Sequence, residues 1–152
     1  MKKLPTRIFD FLTYQLENAP LDNALTTKYN GKWESYSTSK FSSLANQISS
    51  AFLKLKIKAN DKIAMISTNN RNEWSVVDMG IAQIGVVNVP LYPTITSKDY
   101  EYTLNHSESK YCFVSDKIVY DKIMAINNNL KDLKDIYSFD KIPGCKHWSE
   151  LL

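Results

Sequence analysis

Glycine is scarce in this chain: four among 152 residues, Gly31, Gly80, Gly85 and Gly144. No G-x-G-x-x-G occurs, and no G-x-x-x-x-G is followed by Lys and Ser or Thr. A loop that wraps phosphate needs glycine so that successive backbone N–H groups can approach the oxygens. A glycine-rich phosphate cradle is therefore excluded. Cysteine is nearly absent too, and Cys112 and Cys145 fall short of a disulfide framework. Cys112 lies inside an apolar stretch, so both are expected to be reduced thiols in a cytoplasmic protein. The "CKH" at 145–147 offers two metal-ligand types, but nothing completes a ligand set.

Long hydrophobic runs are missing as well. No stretch approaches the roughly 20 apolar residues that span a bilayer. Asp10, Gln15 and Glu17 interrupt the basic N-terminus too soon for a signal sequence. Charge is balanced, with 19 basic and 16 acidic residues and a net charge of +3. The lysines form no block and do not interleave with aromatics, so no nucleic-acid partner is expected. Catalytic groups are equally sparse. His106 and His147 are the two histidines. His106 is a sequence neighbour of Ser107 and Glu108, and neighbours do not face each other on a helix. Asp61, Glu73, Asp78 and Asp99 are accounted for by turns, caps and first-turn dipole effects, and Trp74, Tyr100 and Tyr102 by packing.

What is present is a legible order of elements. "MKKLPTRIFDFLTYQLENAP" predicts an amphipathic helix with Ile8, Phe9, Leu12 and Leu16 on one face. "ALTTKYNGKWESYS" predicts a hairpin, with Asn30-Gly31 at the two positive-φ positions of a type I′ turn. Phe41, Leu44, Ala45, Ile48, Ala51, Phe52 and Leu55 recur at helical spacing behind an N-cap at Ser37 or Thr38. A short buried strand follows at Ile63–Ile66, then a helix capped by Asn69 or Asn70, carrying Trp74, Val77, Ile81 and Ile84 and stopping at Gly85. Val86–Leu91 predicts a second buried strand. Pro90 and Pro93 end it and stiffen its loop, and Thr96 caps the next helix. "KYCFVS" is a third strand, "DKIVYDKIMAINNNL" a helix and "DIYSF" a fourth strand.

Residues 63–139 thus predict β-α-β-α-β-α-β. Short apolar strands between amphipathic helices imply an α/β fold, a doubly wound and mostly parallel sheet with helices on both faces. An N-terminal helix and a β-hairpin precede it. The expected division is 1–58 for the helix, hairpin and following helix, 59–140 for the sheet unit and 141–152 for a tail. Trp148–Leu152 suggests the first turn of an unfinished helix whose leucines lack a partner, hence a cut chain. Ligands of open α/β sheets gather beyond the carboxyl ends of the strands. Three such ends are legible: 67–73, 92–96 and 115–117.

Residues 60–116, "NDKIAMISTNNRNEWSVVDMGIAQIGVVNVPLYPTITSKDYEYTLNHSESKYCFVSD", closely resemble the AMP-forming acyl-CoA synthetases, above all their long-chain fatty-acid–CoA ligase branch. "NRNEW", "IGVVNVPLYPT" and "LNHSESKYCFV" carry the likeness. Asn60-Asp61 stands where the family usually has Gly-Asp, and asparagine tolerates the same left-handed turn.

The resemblance implies a two-step reaction. A fatty-acid carboxylate attacks ATP to give acyl-AMP and pyrophosphate, and coenzyme A then displaces AMP, with Mg2+ in support. It implies that 1–152 is the N-terminal part of the large AMP-binding domain. The family's phosphate loop, adenine and ribose contacts and C-terminal lysine match nothing here, so no catalytic residue and no metal ligand is assigned. An isolated chain would lack ligase activity and bind none of ATP, Mg2+ or coenzyme A tightly. By the same resemblance Tyr92, Pro93 and Thr94 are candidate wall residues of the ATP and coenzyme A channel; a rigid turn with no further role is the competing account. Other expectations are self-association through a face the missing part would cover, and peripheral membrane contact without a transmembrane segment. The alternatives are a ligase for another carboxylate, a fatty-acyl-AMP ligase that hands its product to a carrier protein, and a free-standing α/β interaction module.

Overall fold

The computed structural model describes residues 4–152. Met1, Lys2 and Lys3, at the head of the expected first helix, lie outside the described residues. Helix α1 (Asp10–Asn18) starts later than its periodicity suggests, and Leu12 is its buried residue. Ile8 precedes the helix and is exposed. Strands β1 (Leu25–Tyr29) and β2 (Lys32–Tyr36) form the expected antiparallel hairpin. Asn30 and Gly31, at φ 47° and 83°, make its turn. Helix α2 (Thr38–Lys54) begins at Ser37, whose hydroxyl accepts the Lys40 N–H at 3.1 Å.

The sheet unit alternates β3 (Lys62–Ile66), α3 (Asn72–Gln83), β4 (Val87–Leu91), α4 (Ser97–Ser107), β5 (Ser109–Val114), α5 (Lys117–Met124) and β6 (Asp135–Ser138). Every pairing in this sheet is parallel, in the order β4-β3-β5-β6 with β7 (Lys146–His147) beside β6. Strand β7 (Lys146–His147) is an addition that the apolar pattern did not reveal, being two polar residues long. A 3-10 turn over Trp148–Leu151 follows it, with Trp148 buried and Leu151 packed on the core.

Alternation along the strands divides the core. Ile63, Met65, Tyr111, Phe113 and Tyr137 face one side, where they pack with Ala45, Ile48 and Phe52 of α2 and Val76, Val77 and Ile81 of α3. Ala64, Ile66, Cys112 and Val114 face the other, against Tyr100 and Leu104 of α4 and Val119 and Ile123 of α5. Both faces are covered, as a parallel sheet requires. Phe52 sets its ring edge-on to Tyr111 and Phe113, with centroids 5.1 and 6.0 Å away.

Three local expectations change. Strand β4 is an edge strand: Val87 is 44% exposed, and Pro90, which lacks an N–H, is tolerated because no strand lies beyond it. An apolar run cannot report whether a strand has neighbours on both sides. Helix α3 has Arg71 at its N-cap with no side-chain cap, in place of Asn69 or Asn70. Tyr102 is 70% exposed and stacks on His106 at 5.5 Å rather than entering the core. The stop at Gly85 is as expected. Gly85 takes φ 73°, its N–H reaches the Ala82 carbonyl at 3.1 Å, and the Val86 N–H reaches that of Ile81 at 3.1 Å.

Helices α2 and α3 touch through a small-residue contact. Ser49 donates to the Gly80 carbonyl at 2.7 Å, and a Cβ at Gly80 would stand 2.7 Å from Ile48 Cγ2 and 2.8 Å from the Ala45 carbonyl oxygen. Part of that obstruction is backbone, so the helices must separate to admit a methyl group. Gly80→Ala is expected to cost about 1–3 kcal/mol, measured as a lowered denaturation midpoint at unchanged m-value.

Candidate functional site at the carboxyl edge of the sheet

In the order β4-β3-β5-β6-β7, the chain leaves β3 into α3 on one face and β5 into α5 on the other. A crevice opens where the direction of winding changes, between the carboxyl ends of β3 and β5. The structure brings 67–73 and 115–117 together there. Thr68 donates through its N–H to Ser115 Oγ at 3.0 Å and through its hydroxyl to Asp116 Oδ2 at 2.6 Å. Ser115 donates to the same carboxylate oxygen at 2.7 Å. Asp116 also caps α5 by accepting the Val119 N–H at 3.1 Å. Burial would raise its pKa, but the hydrogen bonds from Thr68 and Ser115 outweigh that and hold it below the usual carboxylate range.

Arg71 lies beside this group with its side chain 5% exposed. Its Nη2 donates to Glu73 Oε1 at 3.0 Å, and its Nη1 donates to the Ser115 carbonyl at 3.1 Å and to Asp140 Oδ1 at 3.0 Å. The guanidinium stands 5.2 Å from the Phe139 ring centroid and 5.7 Å from that of Tyr29. Glu73 takes a further hydrogen bond from the Tyr29 hydroxyl, which brings the hairpin onto the sheet. Thr27 donates to Asn72 Oδ1 at 2.8 Å, and Asn72 donates to the Glu34 carbonyl at 3.1 Å, completing the hairpin dock. Burial pushes Glu73 up, yet hydrogen bonds from Arg71 and Tyr29 and the Arg71 charge leave it below its ordinary value. Burial, then the Glu73 hydrogen bond, raises the Tyr29 phenol.

Above this cluster opens a cleft of about 600 Å³, with Lys28, Glu34, Asp116, Asp140, Lys141 and His147 among its walls. A smaller one of about 380 Å³ lies between Met65, Trp74, Pro90 and Leu91. The walls of the larger cleft carry both signs of charge. His147 shares Nδ1 with Ser149 Oγ at 2.6 Å and Nε2 with the Phe139 carbonyl at 3.0 Å, so both ring nitrogens are engaged. Among the described residues no three His, Cys, Asp or Glu side chains group to hold a metal ion. The arrangement can bind and orient a polar molecule; its hydroxyl–carboxylate and hydroxyl–imidazole contacts, Thr68 and Ser115 to Asp116 and Ser149 to His147, sit at the N-caps of the segments that follow.

The third carboxyl end, 92–96, stands apart beyond edge strand β4. Tyr92 is 79% exposed, Thr94 is exposed and Pro93 is half-buried; none of the three lines either cleft. Arg71, Tyr29 and Asp140 escaped the sequence reading, and Glu73 was assigned only to first-turn dipole effects. Arg71-x-Glu73 at the start of the helix that follows a buried strand is a signal for an ion pair. Nothing local announces Tyr29 or Asp140, which lie 44 and 69 residues from their partners.

Residues 12–149 match the family described as AMP-binding enzyme. The chain belongs to that family. Among the relatives of this AMP-binding enzyme chain, fatty acyl-CoA synthetase A of Dictyostelium discoideum is 35% identical over 112 residues, covering 74% of this chain and 16% of its own. Long-chain-fatty-acid–CoA ligase 1 of Homo sapiens is 32% identical over 84 residues, covering 55% and 12%. Among solved structures, an anthranilate CoA ligase in complex with anthranoyl-AMP superposes with TM-score 0.78 at 20% identity, over 97% of this chain and 27% of that one. A luciferase-like enzyme from the nonluminescent Zophobas morio mealworm gives TM-score 0.78 at 19% identity, over 98% and 35%. The doubly wound α/β fold is thus shared with these solved structures. The chain spans about a sixth of the length of the Dictyostelium relative. Among the described residues no helix is long and apolar enough to cross a membrane.

The Arg71–Glu73 pair is shielded from water, so removing the Glu73 charge leaves Arg71 with only the half-exposed Asp140 as counter-ion. Glu73→Gln is expected to lower stability by about 3 kcal/mol. The folded-state pKa of Glu73 is depressed, so its contribution is complete above the unfolded value of about 4.3. That contribution is lost as pH falls through the lower folded value. Unfolding free energy measured from pH 7 to pH 3 should therefore fall less steeply in E73Q than in the parent chain.

Proposed function

We propose that these 152 residues are the N-terminal part of the large AMP-binding domain of a long-chain fatty-acid–CoA ligase. The complete enzyme would use ATP and Mg2+ to convert a fatty acid to acyl-AMP and then transfer the acyl group to coenzyme A. The observation that carries this reading is the 35% identity to a fatty acyl-CoA synthetase over 74% of the chain. Support comes from the carboxyl-edge crevice, where the winding change and the Arg71 cluster prepare a polar wall. In this reading 1–58 buttresses the sheet unit of 59–140, 141–152 leads into the rest of the domain, and the enzyme works in the cytoplasm. Tyr92, Pro93 and Thr94 are assigned to the wall of the ATP and coenzyme A channel.

The chain alone supplies no glycine-rich phosphate loop. It is therefore inactive, and any self-association would use the face that the remainder of the enzyme covers. The test is pyrophosphate release from ATP, Mg2+ and a fatty acid. The 152-residue chain is expected to give none. A polypeptide that continues this reading frame to the length of the relatives is expected to release pyrophosphate with long-chain acids, and to form the thioester when coenzyme A is added. Fatty-acid-dependent pyrophosphate release by the short chain, or none from the long one with any carboxylate, would overturn the assignment.

A further inference from the structure

The loop between β4 and α4 projects from an edge strand into solvent, a position in which loops are ordinarily mobile. Here three of its carbonyls are held by side chains from two different helices. Tyr100 of α4 is fully buried, and its hydroxyl donates to the Tyr92 carbonyl at 2.8 Å. Lys122 of α5 donates through Nζ to the Pro93 carbonyl at 2.9 Å and to the Ile95 carbonyl at 3.2 Å. The same ammonium stands 5.9 Å from the Tyr100 ring centroid, so the two anchors also meet each other. At the far end Thr96 and Asp99 close a capping box, with the Asp99 N–H on Thr96 Oγ1 at 3.2 Å and the Thr96 N–H on Asp99 Oδ2 at 3.2 Å. Ile95 packs on the α4–α5 side of the core.

Proline complements this arrangement. Pro93 restricts φ and contributes no N–H, so the loop has one local donor fewer. Three of its carbonyls take side-chain donors from the helices instead. Burial raises the Tyr100 phenol to about 12, which keeps its donor in place at neutral pH. With its backbone tied down, the loop still leaves Tyr92 and Thr94 exposed. A backbone held from behind while its side chains face outward is preorganised for contact, and preorganisation lowers the ordering cost of binding.

We propose that Lys122 is a positioning residue: by holding the Pro93 and Ile95 carbonyls it presets the β4–α4 loop, so that Tyr92 and Thr94 meet the nucleotide or coenzyme A without first being ordered. The inference rests on the assignment of Tyr92, Pro93 and Thr94 to the channel wall. Among the described residues the Lys122 ammonium meets the loop carbonyls and the Tyr100 ring, so its effect on ligand is indirect. Removing the donor raises the ordering cost at the binding step and leaves the chemical step alone, which separates KM from kcat.

Two readouts test this. Amide hydrogen exchange on the 152-residue chain compares the parent with Lys122→Met, which keeps the length without the donor, and with Lys122→Arg, which can bridge both carbonyls. K122M is expected to speed exchange at residues 94–97 by about tenfold or more, the equivalent of one charge-assisted hydrogen bond. Exchange in β3 and β5 should be unaltered, and K122R should restore most of the protection. Unchanged loop exchange in K122M, or acceleration spread evenly over the chain, would overturn the positioning role. The second readout is kinetics of the longer ligase carrying the same changes. KM for ATP or for coenzyme A is expected to rise about tenfold in K122M at nearly constant kcat, with recovery in K122R. A loosened loop with both KM values unchanged would instead sink the wall assignment, and the inference with it.

Discussion

The arrangement depends most on the guanidinium of Arg71. It lies out of water at the first turn of α3, and its donors reach Glu73, the end of β5 and Asp140 after β6. Through Glu73 it also draws in Tyr29 of the hairpin. A charge buried this far costs several kcal/mol unless it is paired and its protons are used. The observed placement of these segments uses them on three different partners. The pair is thus better understood as specifying geometry than as adding net stability. It selects the position of the hairpin and of the 139–141 connection against a sheet that hydrophobic packing alone would leave less defined.

The sheet's own winding is the second constraint. Residues of β3 and β5 alternate between two separate clusters, each closed by its own pair of helices. Because β3 leads into α3 on one side and β5 into α5 on the other, their carboxyl ends cannot be bridged by the helices that follow them. The crevice is a consequence of winding order, not of any residue lining it. Polar side chains accumulate there because Thr68, Ser115 and Asp116 must terminate strands and start a helix while staying hydrogen-bonded.

Much of this was legible in advance. Asn30-Gly31, Ser37, Thr96 and Gly85 each act where their backbone chemistry puts them, because caps and turns are decided within four or five residues. The apolar periodicity of α2 and the run Ile63–Ile66 were equally clear, since the helix buries one face and the strand run is buried throughout. Errors fell where neighbours matter. Strand β4 has an apolar pattern and is still an edge. Strand β7 has none and is still paired, because Tyr137 and Ser138 of β6 offer it a ladder. The loop at 92–96 was expected to be stiffened by its prolines. Its tether to Lys122, from 29 residues away in the chain, was not foreseeable.

By itself, then, the amino-acid sequence determined the alternation of elements, the parallel α/β class, the turn and cap positions and the kinship to adenylate-forming ligases. All of these are written in short-range patterns or in runs of residues that can be matched directly. Only the tertiary structure decided strand order, the site of the crevice, the partners of Arg71 and the donors that hold the β4–α4 loop. Apart from Glu73 and Tyr100, which bind groups two and eight residues away, the side-chain contacts among these join groups 27 to 69 residues apart. The strength of such contacts comes from exclusion of water, which no local stretch of chain can arrange alone.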